Sequence, residues 1–433
     1  MTHLVPVLRP VLGSPFRRGD LYRRAGEIPS FHIAPAALGH ARDLITGSVI
    51  GTYNSASPAT AVGADGLLFT PAANAPVIEY DAATRACLGA RVWGVVTNRL
   101  LQSSNFSTNW TPNTVILLAN AATAPDQTNT ADQLSPTING ASSQRFLRQD
   151  FSTTANDTYT LSVFVKVNTA TTNGIALVVQ DQSAANNFRC NFNLFTLTAS
   201  PAGLNWATPT GSIIPYPNGW YRCSVTGVTS TAHTSLRNSI FLNTFGSVPD
   251  TVGSVFLWGA QLNTGPLAPY VPTTTIAASS TADVWTITGA DFNRIYNQSA
   301  VTLFTSATGP DVSSGQFPRV VQIDDGTDSN RVAISHSSNG TSFVVRVSGV
   351  TSPAFSSILL SNGPKLAFAA QSNDAAASVN GASVLAFSPT AMPSTTTLWI
   401  GSASTGQSLN GYIRELAIFR SRRPNANLQA LTT

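Results

Sequence analysis

The sequence predicts an all-β protein, two antiparallel β-sandwich modules following an extended N-terminal arm, and three observations carry that expectation. Short apolar runs with period-two alternation recur every ~10–20 residues, separated by Gly-, Pro- and Asn-rich text. Charged residues make up only 10% of the chain, against ~25% in typical soluble domains. Ser, Thr, Asn, Ala and Gly abound instead, a composition suited to short strands and tight turns. Residues 218–275 are the clearest case: they open NGWYRCSVTGV and close SVFLWGAQLNTGPLAPYVPTTT. Each half sets large aromatics on alternate or adjacent positions between Gly and Pro, as sandwich strands do when one face is buried and the other wetted. A core resting on Trp220, Tyr221, Phe256 and Trp258 is therefore expected.

At 433 residues the chain has room for about two or three domains, and its 42% hydrophobic content can fill their cores. Net charge is +4, and because Lys166 and Lys365 are the only lysines, the positive charge is nearly all arginine. Arg9, Arg17, Arg18, Arg23 and Arg24 crowd the N-terminus. Guanidinium groups suit planar, bidentate contacts with carboxylates or phosphates. Docking to a protein partner is the reading preferred over nucleic acid, since no nucleic-acid module and no basic–aromatic alternation is visible. Cys87, Cys190 and Cys223 are odd in number and far apart, so they read as small buried hydrophobes rather than as a disulfide framework or zinc ligands. No apolar run reaches the ~18 residues of a membrane span, and no charged-then-apolar leader opens the chain. The expectation is a soluble product made in a cytoplasm, with no membrane insertion.

Residues 1–50 mix Pro, Arg and small apolar residues. Pro6, Pro10 and Pro15 forbid a continuous helix there, and so short a segment cannot bury itself. It is expected to order against another protein or to stay disordered, with a short helix near residues 36–44. Residues 51–109 read as small hairpins punctuated by Gly63, Gly66 and Gly89. In order they carry TYNSAS, VGADGL, AANAP, YD, CLG, TNRLLQSSNFS and Trp110. This succession resembles the connector common in tailed-phage fibre and head-spike proteins. It departs from that pattern at residues 93–96, WGVV, where the family usually carries an acidic pair.

Residues 110–285 form the first module. In TYTLSVFVKV, Tyr159, Leu161, Val163 and Val165 fall on one face with Phe164 opposite, and the spacing of successive strands is that of a jelly roll or similar sandwich. The words TAPD, TADQL, YTLSVFVK, NGWYR, LWGAQL and YVPTT resemble the carbohydrate-binding-like jelly roll of phage fibres and spikes. Residues 286–433 form the last module, with two-faced strands such as those at 344–347 and 366–370. Its words LAFA, AASVNGA, LWIGS and LNGYIRELAIF resemble the laminin-G/concanavalin-like sandwich that often ends such proteins. That resemblance implies a last core strand at NGYIRELAIF and a short helix around Leu428.

Little acid–base chemistry is available. The glutamates are Glu27, Glu79 and Glu415, one per region, whereas glycoside hydrolysis needs two carboxylates converging on a cleft. Glu415 beside Arg414 reads as a surface ion pair. Asp324, Asp325 and Asp328, with Asn330, are close enough to be weighed as calcium ligands against a solvated hairpin turn through Gly326. The five histidines share no metal spacing, and no G-x-S-x-G elbow appears. Catalytic residues and cofactors are therefore not expected. Sugar binding asks for less: an exposed aromatic ring and a few polar groups. Trp110, Trp206 and Tyr216 sit in loop text and are the candidates, with packing at the edge of the core as the competing reading; Trp220, Trp258 and Trp399 read as core.

With the resemblance, the expected role is a structural fibre or spike subunit of a phage or phage-like virion. Its arm would dock to a capsid or tail protein, its sandwiches would hold a host cell-surface polysaccharide, and homotrimers would be the usual assembly. A virion-associated polysaccharide depolymerase and a decoration protein without receptor role are the alternatives. Deleting residues 1–50 is expected to abolish incorporation while leaving both modules folded.

Overall fold

The computed structural model describes all residues except 1–17, 56–58, 138–144, 154–155, 170–173, 184, 208, 230–232, 243–244, 246–252 and 313. It is all-β, built of antiparallel sheets. The chain divides into two compact units that interleave in sequence: Tyr53–Cys87 with Trp93–Asp283, and Met1–Thr52 with Leu88–Val92 and Val284–Thr433.

The first unit is a sandwich of two six-stranded sheets among the described residues. One sheet runs Thr210–Tyr216, Trp220–Val228, Thr158–Val167, Val255–Thr264, Ala131–Pro136, Val115–Ala122. The other runs Thr198–Leu204, Asn187–Asn193, Ile175–Asp181, Ser235–Phe241, Phe146–Ser152, Thr111–Asn113. The predicted faces of Thr158–Val167 are found: Tyr159, Leu161, Val163 and Val165 enter the core between the sheets with Leu177, Phe188, Cys190 and Cys223. Phe164 enters a second core on the outer face with Val62, Leu68, Trp220, Trp258 and Tyr270. Period-two alternation thus continues through a strand that is covered on both sides. Trp220 and Trp258 are buried as expected, but in the outer core. Tyr221 and Phe256 are partly buried, against the inner and outer cores respectively. Val62, Leu68 and Ala82 of the hairpin-rich segment serve as part of the outer cover. Cys190 and Cys223 are free and buried, and burial pushes the Cys190 thiol up to about 12.

The second unit is also a sandwich. One sheet runs Leu385–Phe387, Asp374–Val379, Lys365–Gln371, Ala300–Thr308, Gly411–Phe419. Leu88–Val92 and Phe31–Ile33 both pair with Gly411–Phe419, in the registers Tyr412↔Arg91 and His32↔Ala417. The other runs Val284–Ile287, Thr397–Ile400, Arg319–Asp324, Arg331–Ser337, Gly340–Val347, Val350–Ser356. The expected last core strand and C-terminal helix are present as Gly411–Phe419 and Asn425–Thr432. Alanines 367, 369, 376 and 417 keep the outer face of the first sheet shallow, so Leu428 and Leu431 of that helix and Leu21 and Ala25 of an N-terminal helix, Arg18–Ala25, can lie on it.

That N-terminal helix corrects an expectation. The prolines stop at Pro15, and from Arg18 the chain is free to coil. The helix predicted near residues 36–44 is a single turn, Pro35–Leu38, closed by Gly39 at φ 67°. Residues 18–33 are fastened to the second sandwich: Arg423 binds Glu27 at 2.8 Å, Asn427 donates to the Arg24 carbonyl, and Phe31 and Ile33 are fully buried. Removing residues 1–50 would strip a paired strand and a helix from the module, so such a deletion is expected to destabilise the second sandwich as well as remove the arm.

Candidate functional site

Trp110 and Trp206 are each 5% exposed and belong to the inner core of the first sandwich. The Trp110 indole N–H donates to the Gln102 carbonyl at 3.3 Å, and the Trp206 ring packs against Phe188 and His233. Neither offers a face to a ligand. Tyr216 is half-buried against the outer core, its ring edge-on to Phe164 at 5.1 Å. Of these competing readings, packing at the edge of the core describes all three. Burial pushes the Tyr216 phenol up to about 12, partly offset by Arg222 beside it. Burial does the same to Tyr296 of the second sandwich. An unfolded chain ionises these phenols near pH ~10. The unfolded state therefore loses its protons first, and stability that is intact below pH ~10 is expected to fall as pH rises towards about 12. Urea unfolding at about pH 9 and about pH 11 checks this, and equal midpoints would contradict it.

Arg9 and Arg17 lie outside the described residues, and Arg18 opens the N-terminal helix. Arg23 and Arg24 bind Asp20 at 2.5 and 2.8 Å, and Arg24 also donates to the carbonyls of Ala430 and Thr433. Arg24 is thus used within the second sandwich, while Arg23 stays largely exposed.

The aspartates weighed for calcium point to separate tasks. Asp324 is fully buried, accepting from the Gln322 amide at 2.7 Å, the Gly326 N–H at 2.9 Å and the Trp399 indole N–H at 3.0 Å. Asp325 caps the turn through Thr327 and Asn330. Asp328 faces Arg319, Arg331 and Arg346 at 3.5, 2.7 and 3.7 Å. Among the described residues no three His, Cys, Asp or Glu side chains gather to hold a metal ion. The glutamates are likewise separate. Glu27 accepts from Arg423 and Ser421, and Glu79 accepts from the Val62 N–H. Glu415 is buried rather than paired on the surface. Its Oε1 lies 2.9 Å from His32 Nε2, and the Tyr22 hydroxyl lies 3.1 Å from the other ring nitrogen.

A different place in the second sandwich has the features that sugar binding asks for. Three turns of similar wording, SGQF at 314–317, SSNG at 337–340 and FSS at 355–357, contribute to one cleft of about 490 Å³. Strand register brings two of them together: Ser337 pairs with Gly340 and Ser342 with Phe355. Gly340 sits at φ 130° with the Ser356 carbonyl 2.0 Å from where a Cβ would stand, so only glycine closes this turn. Phe317 and Phe355 line the cleft at 45% and 64% exposure. Around them are serine hydroxyls and the Asn339 amide, with no charged side chain in the lining. The loop carrying Phe317 is fixed from beneath. The buried Arg319 guanidinium donates to the Phe317 carbonyl and, at 2.7 Å, to Gln322, which passes the chain of bonds on to Asp324. Burial pulls Arg319 down to about 10, which still leaves it charged at neutral pH. The sequence signal was the recurring Ser-Ser beside a Phe or Gly; it gains meaning only once the strands set these turns side by side.

No family model matches this chain, and no curated protein matches it. Solved structures overlap it loosely. The Ruminococcus gnavus IT-sialidase CBM40 bound to α2,3-sialyllactose shares 13% identity at a TM-score of 0.28, covering 33% of this chain and 88% of its own. Mouse laminin α1 domains LG4-5 share 10% at 0.23, covering 61% and 83%. The tandem CBM22-1-CBM22-2 domains of Paenibacillus barcinonensis Xyn10C share 9% at 0.26, covering 76% and 99%. At these scores no ligand or site transfers from them.

Proposed function

We propose that this chain is a projecting structural subunit of a tailed-phage or phage-like virion that holds host-surface glycans through its sandwich modules. The observation that carries glycan binding is the uncharged cleft of Phe317 and Phe355. Aromatic rings take the C–H face of a pyranose, and neutral hydroxyl and amide groups exchange hydrogen bonds with its hydroxyls without the desolvation cost of a charge. The virion role is supported by the connector and sandwich wording of the sequence. Homotrimers fit the exposed Ile116 and Leu118 on the edge strand Val115–Ala122, since assembly covers such edges. Weak individual sites then gain from copy number.

Phe355→Ala and Phe317→Ala are expected each to weaken binding of a neutral host polysaccharide about tenfold, or ~1.4 kcal/mol, with unchanged thermal stability. Titration calorimetry measures this, and wild-type affinity in both variants would refute the reading. The same incubation assayed for new reducing ends separates binding from the depolymerase alternative. Neither the arrangement of the glutamates nor this cleft supplies a pair of carboxylates. Docking to the particle is assigned to residues 1–17, with Arg9 and Arg17. Deleting these alone is expected to abolish incorporation into particles while both sandwiches melt as in the intact chain. Normal incorporation would place the attachment elsewhere.

A further inference from the structure

The first sandwich carries a second cleft, of about 470 Å³, with a different character. Its base is Gln149 of the strand Phe146–Ser152, whose buried amide donates to the Leu101 and Asn109 carbonyls at 3.0 and 3.2 Å and accepts from the Leu101 N–H at 2.6 Å. This clamp holds the loop through Asn109 beside the strand. The register Arg148↔Thr111 sets a hydroxyl next to a guanidinium.

Two arginines line the cleft and neither is neutralised in it. Arg99 lies with its guanidinium carbon 4.9 Å from the Phe151 ring centroid. One of its terminal nitrogens donates to Thr264 at 3.2 Å, while its buried Nε has no acceptor among the described residues. The Arg148 side chain makes no hydrogen bond or ion pair with any described residue, and the residue is only half-exposed. Asp150, the acidic residue in the lining, has its carboxylate 3.4 Å from Arg237. The cleft is therefore cationic, with spare, partly oriented N–H donors beside Asn109, Thr111 and Ser152 at its rim.

A desolvated guanidinium donor without an acceptor is costly, and a carboxylate satisfies two such donors at once in planar geometry. The rim amide and hydroxyls suit the hydroxyls of the ring that bears it. We propose that this cleft binds the carboxylate of an acidic sugar within a polysaccharide, Arg148 and Arg99 sharing the anion. It is a site separate from the neutral cleft of the second sandwich and does not depend on it.

The test is titration of the full chain with oligogalacturonate and with the same oligosaccharide after carboxyl reduction. The acidic form is expected to bind at least tenfold more tightly, with an advantage that shrinks as salt rises. Arg148→Gln is expected to remove that advantage while leaving the melting temperature and neutral-glycan binding unchanged. Arg148→Lys, which keeps charge but not the planar fork, is expected to restore only part of it. Equal affinity for the two oligosaccharides, wild-type behaviour of Arg148→Gln, or equal binding of a sulfated neutral oligosaccharide would each overturn the assignment. Because Phe355→Ala affects neutral glycans and Arg148→Gln acidic ones, failure of one reading leaves the other standing.

Discussion

Phe164→Ala is expected to lower the unfolding free energy of the first sandwich by about 3–5 kcal/mol. The ring is fully buried on the outer face of a central strand. Tyr216, Trp258 and Tyr270 stand edge-on to it at 5.1, 5.5 and 6.1 Å. The Arg222 guanidinium carbon lies 5.2 Å from its centroid. Gly259, at φ 62°, has no Cβ because that atom would stand 2.9 Å from the Phe164 ring. Truncation leaves a hole between rigid rings that cannot close around it, and it removes the aromatic face over which a buried cation is placed. Urea unfolding followed by tryptophan emission reads the effect, since Trp258 is a direct neighbour. The midpoint should drop with the slope unchanged, and a loss under about 1 kcal/mol would show that the outer core is not structural.

In the second sandwich Asp324→Ala is expected to cost about 3–5 kcal/mol. The substitution orphans the Gln322 amide in the buried interior and takes an acceptor from the Trp399 indole N–H and the Gly326 N–H at its edge. It also reaches the neutral cleft: Gln322 loses one of its two partners, Arg319 loses its fixed neighbour, and the loop carrying Phe317 loosens. Neutral-glycan affinity is therefore expected to fall with stability, whereas Phe355→Ala lowers affinity alone. Asp324→Asn, which keeps the shape and one acceptor oxygen, should recover most of both. If Asp324→Ala melts like the wild type, the buried carboxylate is not holding the network.

Local text specified what local physics controls. Alternation in residues 158–167 assigned each side chain its face, and the aromatic strands at 220–228 and 255–264 were placed by the same means. What it left out depends on residues far apart in the chain. Phe31–Ile33 joins Gly411–Phe419 across most of the sequence, and no spacing rule links FHI to a strand so distant. The His32–Glu415 contact follows from that pairing, so Glu415 read as a surface ion pair until its partner was in place. Trp110 and Trp206 lie in Gly- and Pro-bounded text, which suggests exposure, yet the loops fold their rings inward. The neutral cleft was hidden for the opposite reason: Ser, Asn and Phe in turns are common, and only the register Ser342↔Phe355 makes neighbours of them.

The placement of Phe31–Ile33 against Gly411–Phe419 also bears on how the chain is made. During synthesis the first sandwich emerges whole and is free to fold, while the strand Phe31–Ile33 and the helix before it wait for a partner that is made only after that sandwich. Until then Phe31 and Ile33 are uncovered, and pairing at such long range is slow. Nascent chains arrested before the final strand should accordingly hold one protease-resistant half and one that a protease still digests.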